Sequence, residues 1–474
     1  MDGSPWAWGF FSVYLVFTAF LAWRGGQKTG SSDSFAIGDG QMSPWVAGTT
    51  LGACLASSAM FVIFPGFVYA DGLPALIGFS VPLIAGLAFG LLVLGPRFQD
   101  IGAEVNALTI PHWLGARYQS PALRRMFSAL NILNVAYLVL VVVGCAYVMG
   151  AALGTSYHAS VLLIVCFVFG YTGFGGALAH AFTNTMQGAI MLVMSLIIFF
   201  SGLRLWADGS LVADLVTSGL TAPGSALFST TAEVWLVPFV MGAALTTQPH
   251  LLTKALYVRD RRALAATTAI AMATFSVFSL VLSAGAYARL VLPEGIAQDT
   301  VMAEYLTVAF GSPVLSAAVT VAILAASMST LDGLLVAISA SVANDLFPGR
   351  GSVLLNRGVL VLLAVVTIAI AWSPPSLVLI LGQQGVYGLV AASAGPLVAG
   401  LFLRGPLPAG SAIAAAAAAL VVHFGALGLG GVVNPGISAG LALLVSVPMA
   451  LLLARAGAAS AHPPQVLLRA GEEL

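Results

Sequence analysis

Apolar stretches of about 20 residues recur along this chain from end to end, and they constrain its fold more than any other feature. Hydrophobic residues make up 59% of its 474 residues and charged residues only 7%, against roughly 25% charged in an ordinary soluble domain. The mean hydropathy is +1.02. Because a chain this apolar cannot fold in water, we predict a polytopic membrane protein that lies in the lipid bilayer.

The fold predicted from these stretches is all-α. Inside a bilayer every backbone amide needs a partner within the protein, and apolar runs of this length meet that need as helices, whereas barrel strands are about half as long. We therefore predict about 13 transmembrane helices. They lie at residues 7–23, 45–70, 75–95, 126–150, 159–177, 185–206, 234–250, 264–290, 314–344, 353–372, 377–402, 409–428 and 435–454.

The basic residues of the predicted loops fall almost entirely on one side of the membrane. Loops counted alternately place only Arg204 and Arg289 on one side and fifteen basic residues on the other. Because cytoplasmic loops retain Lys and Arg, we predict a plasma (inner) membrane protein with its N-terminus outside and its C-terminus in the cytoplasm. The fifteen are Arg24, Lys28, Arg97, Arg117, Arg124, Arg125, Lys254, Arg259, Arg261, Arg262, Arg350, Arg357, Arg404, Arg455 and Arg469.

Two of the predicted spans are interrupted in a similar way. The second passes through small residues at 52–58 before Pro65, and the seventh passes through small and polar residues at 242–248 before Pro249. A membrane tolerates irregular backbone only where it is buried or lines a wet cavity. The interruptions are five spans apart. Because successive spans cross the membrane in alternating directions, two five-helix units separated by an odd number of spans have opposite orientations in the membrane. The pattern predicts an inverted repeat with two discontinuous helices, and close packing of small residues is the alternative explanation.

The ninth predicted span carries oxygens suited to a cation. Ser329 and Thr330 lie one turn after Ala326, whose carbonyl becomes available if its helical hydrogen bond is partly released. The carbonyls of Ala53 and Ala56, at the first interruption, bring the number of oxygens to five. Hard cations prefer oxygen ligands, so these five residues form the predicted Na⁺ site. The alternative is that both hydroxyls bond to the preceding turn of their own helix.

Asp332, in the same span, is a carboxylate at membrane depth. A charge there costs at least about 2.5 kcal/mol when it has no partner. Two interpretations stay open. Asp332 is either hydrogen-bonded within the helix bundle or part of a second cation or proton site.

Several stretches of the chain resemble the sodium:solute symporter family, a group that includes bacterial proline, pantothenate, acetate and sugar symporters. The most specific is the segment 324–347, which reads LAASMSTLDGLLVAISASVANDLF and is close to the family's eighth core helix. The other matching stretches are residues 31–35 with 45–48, Phe64-Pro65-Gly66, 108–111 with 116–118, and 171–187. Together they cover most of residues 31–347.

The resemblance implies a secondary active transporter that works by alternating access with Na⁺ as the coupling ion. It implies a ten-helix inverted-repeat core, here at residues 44–404, with an accessory helix and loop at 1–43 and accessory helices with a short tail at 405–474. It also implies a Na⁺ site between the first and eighth core helices, which falls on the five residues already named. Leu55 stands where the proline transporters have an aspartate, which argues against proline as the substrate.

The resemblance also indicates where the solute binds. The chamber is expected between the two interruptions and the eleventh span, where Gln384 is similar in placement to a substrate-contacting glutamine of the sugar branch. A small organic anion, such as a monocarboxylate or pantothenate, is the favoured small-molecule substrate, and amino acids and sugars are alternatives. The candidate contact residues are Ser57, Ser58, Phe61, Thr246, Thr247 and Gln384, with Met60 as a further apolar wall.

Composition argues against several other functions. Seventeen basic and seventeen acidic residues cancel, so no basic surface for nucleic acid is expected, and no obligate protein partner is indicated. Loops of at most about 30 residues leave no room for a catalytic domain, and no phosphate-binding loop of an ATP-driven pump is found. The histidines are scattered, which we interpret as interface or capping positions rather than an enzyme site. A proton-coupled carrier and a transporter-derived membrane sensor remain as alternatives.

Overall fold

The structure, a computed structural model, describes residues 5–56, 59–298, 300–347, 352–374 and 378–460. Within these ranges it is built of helices and loops without a β-strand, as predicted. The helices of the first half are α1 Pro5–Gly26, α2 Ser32–Ile37, α3 Pro44–Leu55, α4 Phe64–Asp71, α5 Leu73–Gly78, α6 Val81–Glu104, α7 Ile110–Arg117, α8 Pro121–Leu130, α9 Asn134–Leu153, α10 Tyr157–Ser201 and α11 Leu203–Ala207.

The second half continues with shorter helices and then with the longest uninterrupted one, α18. Its helices are α12 Ser210–Thr217, α13 Val237–Leu245, α14 Pro249–Leu252, α15 Arg261–Phe278, α16 Ser283–Val291, α17 Val301–Ala309, α18 Pro313–Ser341, α19 Val353–Ala371, α20 Val378–Phe402, α21 Ala409–Gly428 and α22 Pro435–Ser460. Short 3₁₀ helices lie at Gly38–Gly40, Asn131–Leu133, Thr253–Tyr257 and Ser279–Leu282, and π-helical turns at Ala59–Ile63, Ala232–Leu236 and Val342–Leu346.

The predicted number of 13 spans is not confirmed. With α10 counted once, ten helices of the described residues are long and apolar enough to cross a membrane, or eleven if the bent pair α3 and α4 counts as one span. The seventh predicted span is shorter than expected, because its regular part covers only Ala232–Leu245. The fifth and sixth predicted spans lie in the single element α10, which has 45 residues.

A glycine divides α10 into two halves. Gly176 has φ +51° and ψ −138°, a backbone conformation outside the helical region. A straight helix of this length is about 68 Å long, about twice the thickness of the hydrocarbon core. A Cβ atom on Gly176 would lie 2.5 Å from the carbonyl oxygen of Phe35. The chain therefore reverses at this glycine, where it packs directly on α2.

Both predicted interruptions are present. The axes of α3 and the helical segment that follows it, Ala59–Asp71, differ by 53°. Ala56 ends α3 with φ −89° and ψ 81°, so its backbone is not helical. In the second half, α13 ends at Leu245, and Gln248 is extended, with φ −62° and ψ 137°, before Pro249 begins α14.

Helix α18 lies at the centre of the bundle. The share of buried residues in its apolar window is 72%, against 28% for α1 and for α19, and 83% for residues 382–402 of α20. It packs against α3, α9, α10 and α1. Helices α21 and α22 pack on α20 at the periphery. Residues 321–336 of α18 are all buried, so any polar group among them must find its partners inside the bundle.

Contacts between loops define two sides of the molecule. On the side that we call the basic side, the loops at residues 24–43, 97–124, 253–262 and 400–408 meet one another. Met42 N donates to the carbonyl of Tyr257 at 2.8 Å, and Arg117 donates to the carbonyls of Gly400 and Leu403 at 2.8 and 2.6 Å. The opposite side is joined by other contacts, among them an ion pair between Arg289 and Asp214 at 2.7 Å.

Candidate cation and solute site

The helix break after α3 faces the hydroxyl-bearing turn of α18. The Ser329 hydroxyl lies 3.1 Å from the carbonyl oxygen of Ala53 and 2.7 Å from that of Ala326. All three residues have no exposed surface. Three of the five oxygens that the sequence predicted as Na⁺ ligands therefore lie within hydrogen-bond distance of one another through the Ser329 hydroxyl.

The other two predicted ligands lie beside this set. The Thr330 hydroxyl is fully buried and lies 3.4 Å from the carbonyl oxygen of Cys54, which is an additional oxygen that the sequence had not indicated. Ala56 is also fully buried, and its non-helical backbone takes its carbonyl out of the regular helical pattern. Carbonyl and hydroxyl oxygens without a formal charge suit a monovalent hard cation.

Asn184 of α10 holds the two helices of this site together. Its Nδ2 donates to the carbonyl of Ser329 at 3.1 Å and to the Cys54 sulfur at 3.3 Å. Its Oδ1 atom is buried and has no hydrogen-bond partner among the described residues. The sequence did not indicate this residue as part of the site, although it lies in the stretch 171–187 that carried the family resemblance.

Asp332 is hydrogen-bonded within the bundle. One carboxylate oxygen lies 2.8 Å from Nδ1 of His180, and the other accepts from the hydroxyls of Tyr171 and Thr183, each at 3.0 Å. These partners are all on α10. The interpretation of every histidine as an interface or capping residue is wrong for His180, because its side chain is fully buried and paired with this carboxylate.

The accessory helix α1 also reaches the site. The hydroxyl of Tyr14 donates to the sulfur of Met328 at 3.3 Å and accepts from Nε2 of Gln187 at 2.7 Å. Met328 is the residue directly before Ser329. A side chain outside the predicted ten-helix core therefore fixes the position of the turn that carries the cation-site hydroxyls.

The residues predicted to contact the solute are dispersed, and Ser57 and Ser58 lie outside the described residues. Thr246 and Thr247 are buried, but each hydroxyl donates to a carbonyl of α13 three residues earlier, at 2.6 and 2.7 Å. Phe61 is fully buried beside Phe278, with 6.4 Å between the ring centroids. No described contact joins these residues into one chamber.

Helix α20 is hydrogen-bonded to the second interruption through Gln248 and to the accessory helix α21 through the backbone of Gln384. Gln248, which the sequence did not indicate, donates from Nε2 to the carbonyl of Val386 at 3.0 Å, and its Oε1 is buried without a partner among the described residues. Gln384 is half-buried, and its backbone carbonyl lies 3.1 Å from Nε2 of His423 on α21. One polar residue of the second break, Gln248, therefore contacts α20, whereas Thr246 and Thr247 bond to their own helix.

A helical bundle with two discontinuous helices, and with buried oxygens where one of them meets a central helix, defines a secondary transporter for solutes coupled to a cation. The model of the sodium:solute symporter family matches residues 35–405. The chain belongs to this family. It is therefore a sodium-coupled solute symporter, with Na⁺ as its coupling ion.

Known relatives agree with this assignment. A sodium/proline symporter of Staphylococcus aureus is 27% identical over 445 residues, which cover 87% of this chain and 84% of the relative. The sodium/proline symporter of strain Newman is also 27% identical, over 86% of this chain and 83% of that protein.

Two solved structures support the fold. A Na⁺-coupled sialic acid symporter in a substrate-bound outward-open state matches with a TM-score of 0.78 at 17% identity, covering 96% of this chain and 98% of that one. A nucleobase-cation-symport-1 family transporter in a closed conformation with bromovinylhydantoin bound matches with a TM-score of 0.57 at 15% identity, covering 89% and 95%.

Proposed function

We propose that this symporter moves a small organic anion, such as a monocarboxylate or pantothenate, together with Na⁺ by alternating access. The observation that supports the ion site is the Ser329 hydroxyl, which lies between a carbonyl of the α3 break and a carbonyl of its own helix. The ligands are the carbonyls of Ala53, Ala56 and Ala326 and the hydroxyls of Ser329 and Thr330. The transport core comprises residues 44–404, with accessory parts at 1–43 and 405–474.

The ion acts by joining α3 to α18. Without Na⁺, the hydroxyl hydrogen of Ser329 bridges oxygens of the two helices. When Na⁺ binds, the oxygens of Ser329, Ala53 and Ala326 turn to the ion, which holds the interrupted part of α3 against α18 in one arrangement. This ordering lowers the free-energy cost of forming the adjacent solute pocket. Because binding free energies are reciprocal, the solute must tighten Na⁺ binding by the same factor.

Entry of Na⁺ then drives accumulation of the solute. One Na⁺ moving with a monovalent anion carries no net charge, so the Na⁺ concentration gradient supplies the free energy. The membrane potential adds about 2.3 kcal/mol per 100 mV only for each net positive charge, as when the solute is a zwitterion. We place the N-terminus outside and the basic side in the cytoplasm, which the excess of Lys and Arg in its loops supports. The solute is therefore taken up from outside and released at the basic side.

The ion site is tested by alanine substitutions measured in proteoliposomes with the proton gradient clamped. We expect Ser329→Ala and Thr330→Ala each to raise the Na⁺ concentration for half-maximal uptake by about tenfold, as for the loss of one ion–oxygen contact. Ser327→Ala is the matched control, because the equally buried Ser327 hydroxyl donates to the carbonyl of Ile323 at 3.0 Å and its partners are not among the five ligand residues. Uptake that persists unchanged when choline replaces Na⁺ contradicts the mechanism.

An amino acid is the second candidate for the solute. The relatives named sodium/proline symporters favour it, whereas Leu55, in place of the aspartate of proline transporters, argues against proline itself. Thermal unfolding of the purified protein against carboxylates, amino acids and sugars, each with and without Na⁺, separates the candidates. The true solute stabilises the protein more strongly when Na⁺ is present.

A further inference from the structure

A lysine with no counter-ion is buried near the basic side. Lys254, which follows α14, has only 2% of its surface exposed. Its ammonium group donates to the carbonyl of His250 at 2.5 Å and lies 5.7 Å from the centre of the Tyr257 ring. Among the described residues, no carboxylate lies within ion-pair distance of it. An ammonium group has three N–H donors, and a buried charge is costly unless it is paired.

The lysine lines a narrow cavity of about 10 Å³, close to the volume that one water molecule needs. The walls come from α2, α7, α14 and α18, and the described lining residues include no Asp or Glu. Two further polar groups on the wall lack partners among the described residues: Nδ2 of Asn131 and Nδ1 of His250. A lysine and an asparagine with an unpartnered amide donor thus line one space whose described walls carry no acidic side chain.

The cavity lies between the basic side and the cation site. Its inner end is Gly333 on α18, three residues after Thr330, and its outer end includes Thr109 at the start of α7. Thr109 is tied to Asp345 by a hydrogen bond of 2.6 Å. The space therefore lies between the helix turn that carries Thr330 and the segment that begins α7.

We propose that Lys254 is an anion-binding group of the exit pathway and takes the carboxylate of the transported solute as it leaves toward the basic side. The inference rests on the proposed function and deepens it, because it requires a carboxylate on the solute and so excludes neutral sugars. Lys254 forms a charge-assisted hydrogen bond to the carboxylate, and the Asn131 amide is placed to donate a second. In the closed form the space is too small for an organic anion, and the lysine instead bonds to the His250 carbonyl.

The test measures anion binding directly, without transport. The full-length protein is purified in Na⁺-free buffer, and its thermal midpoint is recorded against potassium acetate, with potassium chloride at equal ionic strength. We expect acetate to raise the midpoint of the wild type and of Lys254→Arg. We expect Lys254→Gln to need about tenfold more acetate for the same rise, as for the loss of one charge-assisted hydrogen bond. Gln is chosen because its amide can still donate a hydrogen bond while the charge is lost.

The matched control is Arg261→Gln, which removes a basic residue of the neighbouring loop that is exposed and paired with Asp100. It should respond to acetate as the wild type does. An identical acetate response of Lys254→Gln and wild type overturns the inference. If chloride stabilises the wild type as much as acetate does, and this effect is lost in Lys254→Gln, the ligand is an inorganic anion and the carboxylate assignment is wrong.

A transport measurement separates this inference from the proposed function. In proteoliposomes, Lys254→Gln should raise the KM for solute on the basic side by about tenfold, while Na⁺ alone stabilises the solute-free variant as it does the wild type. If the wild type takes up no carboxylate solute with Na⁺, the proposed function is wrong. The acetate measurement still decides whether Lys254 binds an anion.

Discussion

At the scale of single residues, Asp332 accepts more side-chain hydrogen bonds than any neighbouring group of the cation site. His180, Tyr171 and Thr183 all donate to it or pair with it, over distances of 2.8 to 3.0 Å. The carboxylate therefore joins α18 to both halves of α10, the one before Gly176 and the one after it. A group with this many partners in a dry environment stabilises one arrangement of the helices.

Replacing this carboxylate should destabilise the protein. In Asp332→Asn an amide NH₂ group, which cannot accept a hydrogen bond, replaces one carboxylate oxygen. At least one of the buried donors His180, Tyr171 and Thr183 then loses its acceptor. We expect the free energy of unfolding to fall by about 1–3 kcal/mol, measured as a lower thermal midpoint in detergent. Asp100→Asn is the control, since its partner Arg261 is exposed and such pairs contribute about 0–1 kcal/mol. Equal midpoints for the two variants would show that the network adds no stability.

The cation-site hydroxyls could be predicted from the sequence, but their neighbours could not. Ser329 and Thr330 are polar residues in an apolar span, and that contrast alone marks them. His180 and Asn184 lie in a different helix, and their role depends on α10 folding back beside α18 at Gly176. Sequence spacing carries no information on such a contact between helices.

At the scale of helices, Gly176 sets the reversal inside α10. Its φ of +51° is in the left-handed region, and the carbonyl of Phe35 occupies the place of a Cβ atom. We expect Gly176→Ala to destabilise the protein by about 1–3 kcal/mol through backbone strain, in addition to the steric overlap. Gly170→Ala, in the same element but with open space around its Cβ position, should leave the thermal midpoint unchanged or higher. A midpoint of Gly176→Ala equal to that of Gly170→Ala contradicts this account.

Helix positions were largely predictable, and helix ends were less so. Long apolar runs determine that a span exists, because no other structure satisfies its backbone in lipid. The boundaries inside 157–201 and around Pro249 depend on local backbone geometry. Small and polar residues at 242–248 indicated a break, yet the direction of Thr246 and Thr247, which donate to their own helix, depends on packing against α6.

At the scale of the whole molecule, the basic side is held closed by a buried carboxylate. Asp345 is fully buried and accepts from Arg124 at 2.8 Å as well as from Thr109. Arg124 also donates to the carbonyl of Asn344 at 2.9 Å, and the Asn344 side chain accepts from Ser32 at 2.7 Å. Three separate segments therefore meet at the end of α18, and one of their residues, Thr109, also lines the cavity beside Lys254.

Removing the arginine should loosen this closure. Arg124→Ala leaves the Asp345 charge buried without its ion pair, which favours states in which the carboxylate reaches water. We expect Ala337→Cys, on the cavity wall, to react severalfold faster with a membrane-impermeant thiol reagent in the Arg124→Ala background. The measurement uses a chain whose three native cysteines are replaced by alanine. Arg261→Ala is the control and should leave the labelling rate of Ala337→Cys unchanged. A rate in the Arg124→Ala background equal to that in the chain with Arg124 contradicts the prediction.

The contact from Tyr14 to Met328 has a consequence for how proteins of this architecture can be shortened or recombined. The first helix lies outside the proposed transport core, yet one of its side chains touches the residue next to Ser329. Deleting this helix to obtain a minimal carrier, or exchanging it with that of a relative, is therefore not neutral. Because this contact fixes the residue beside a proposed Na⁺ ligand, we expect such a change to alter the Na⁺ concentration that half-maximal uptake requires.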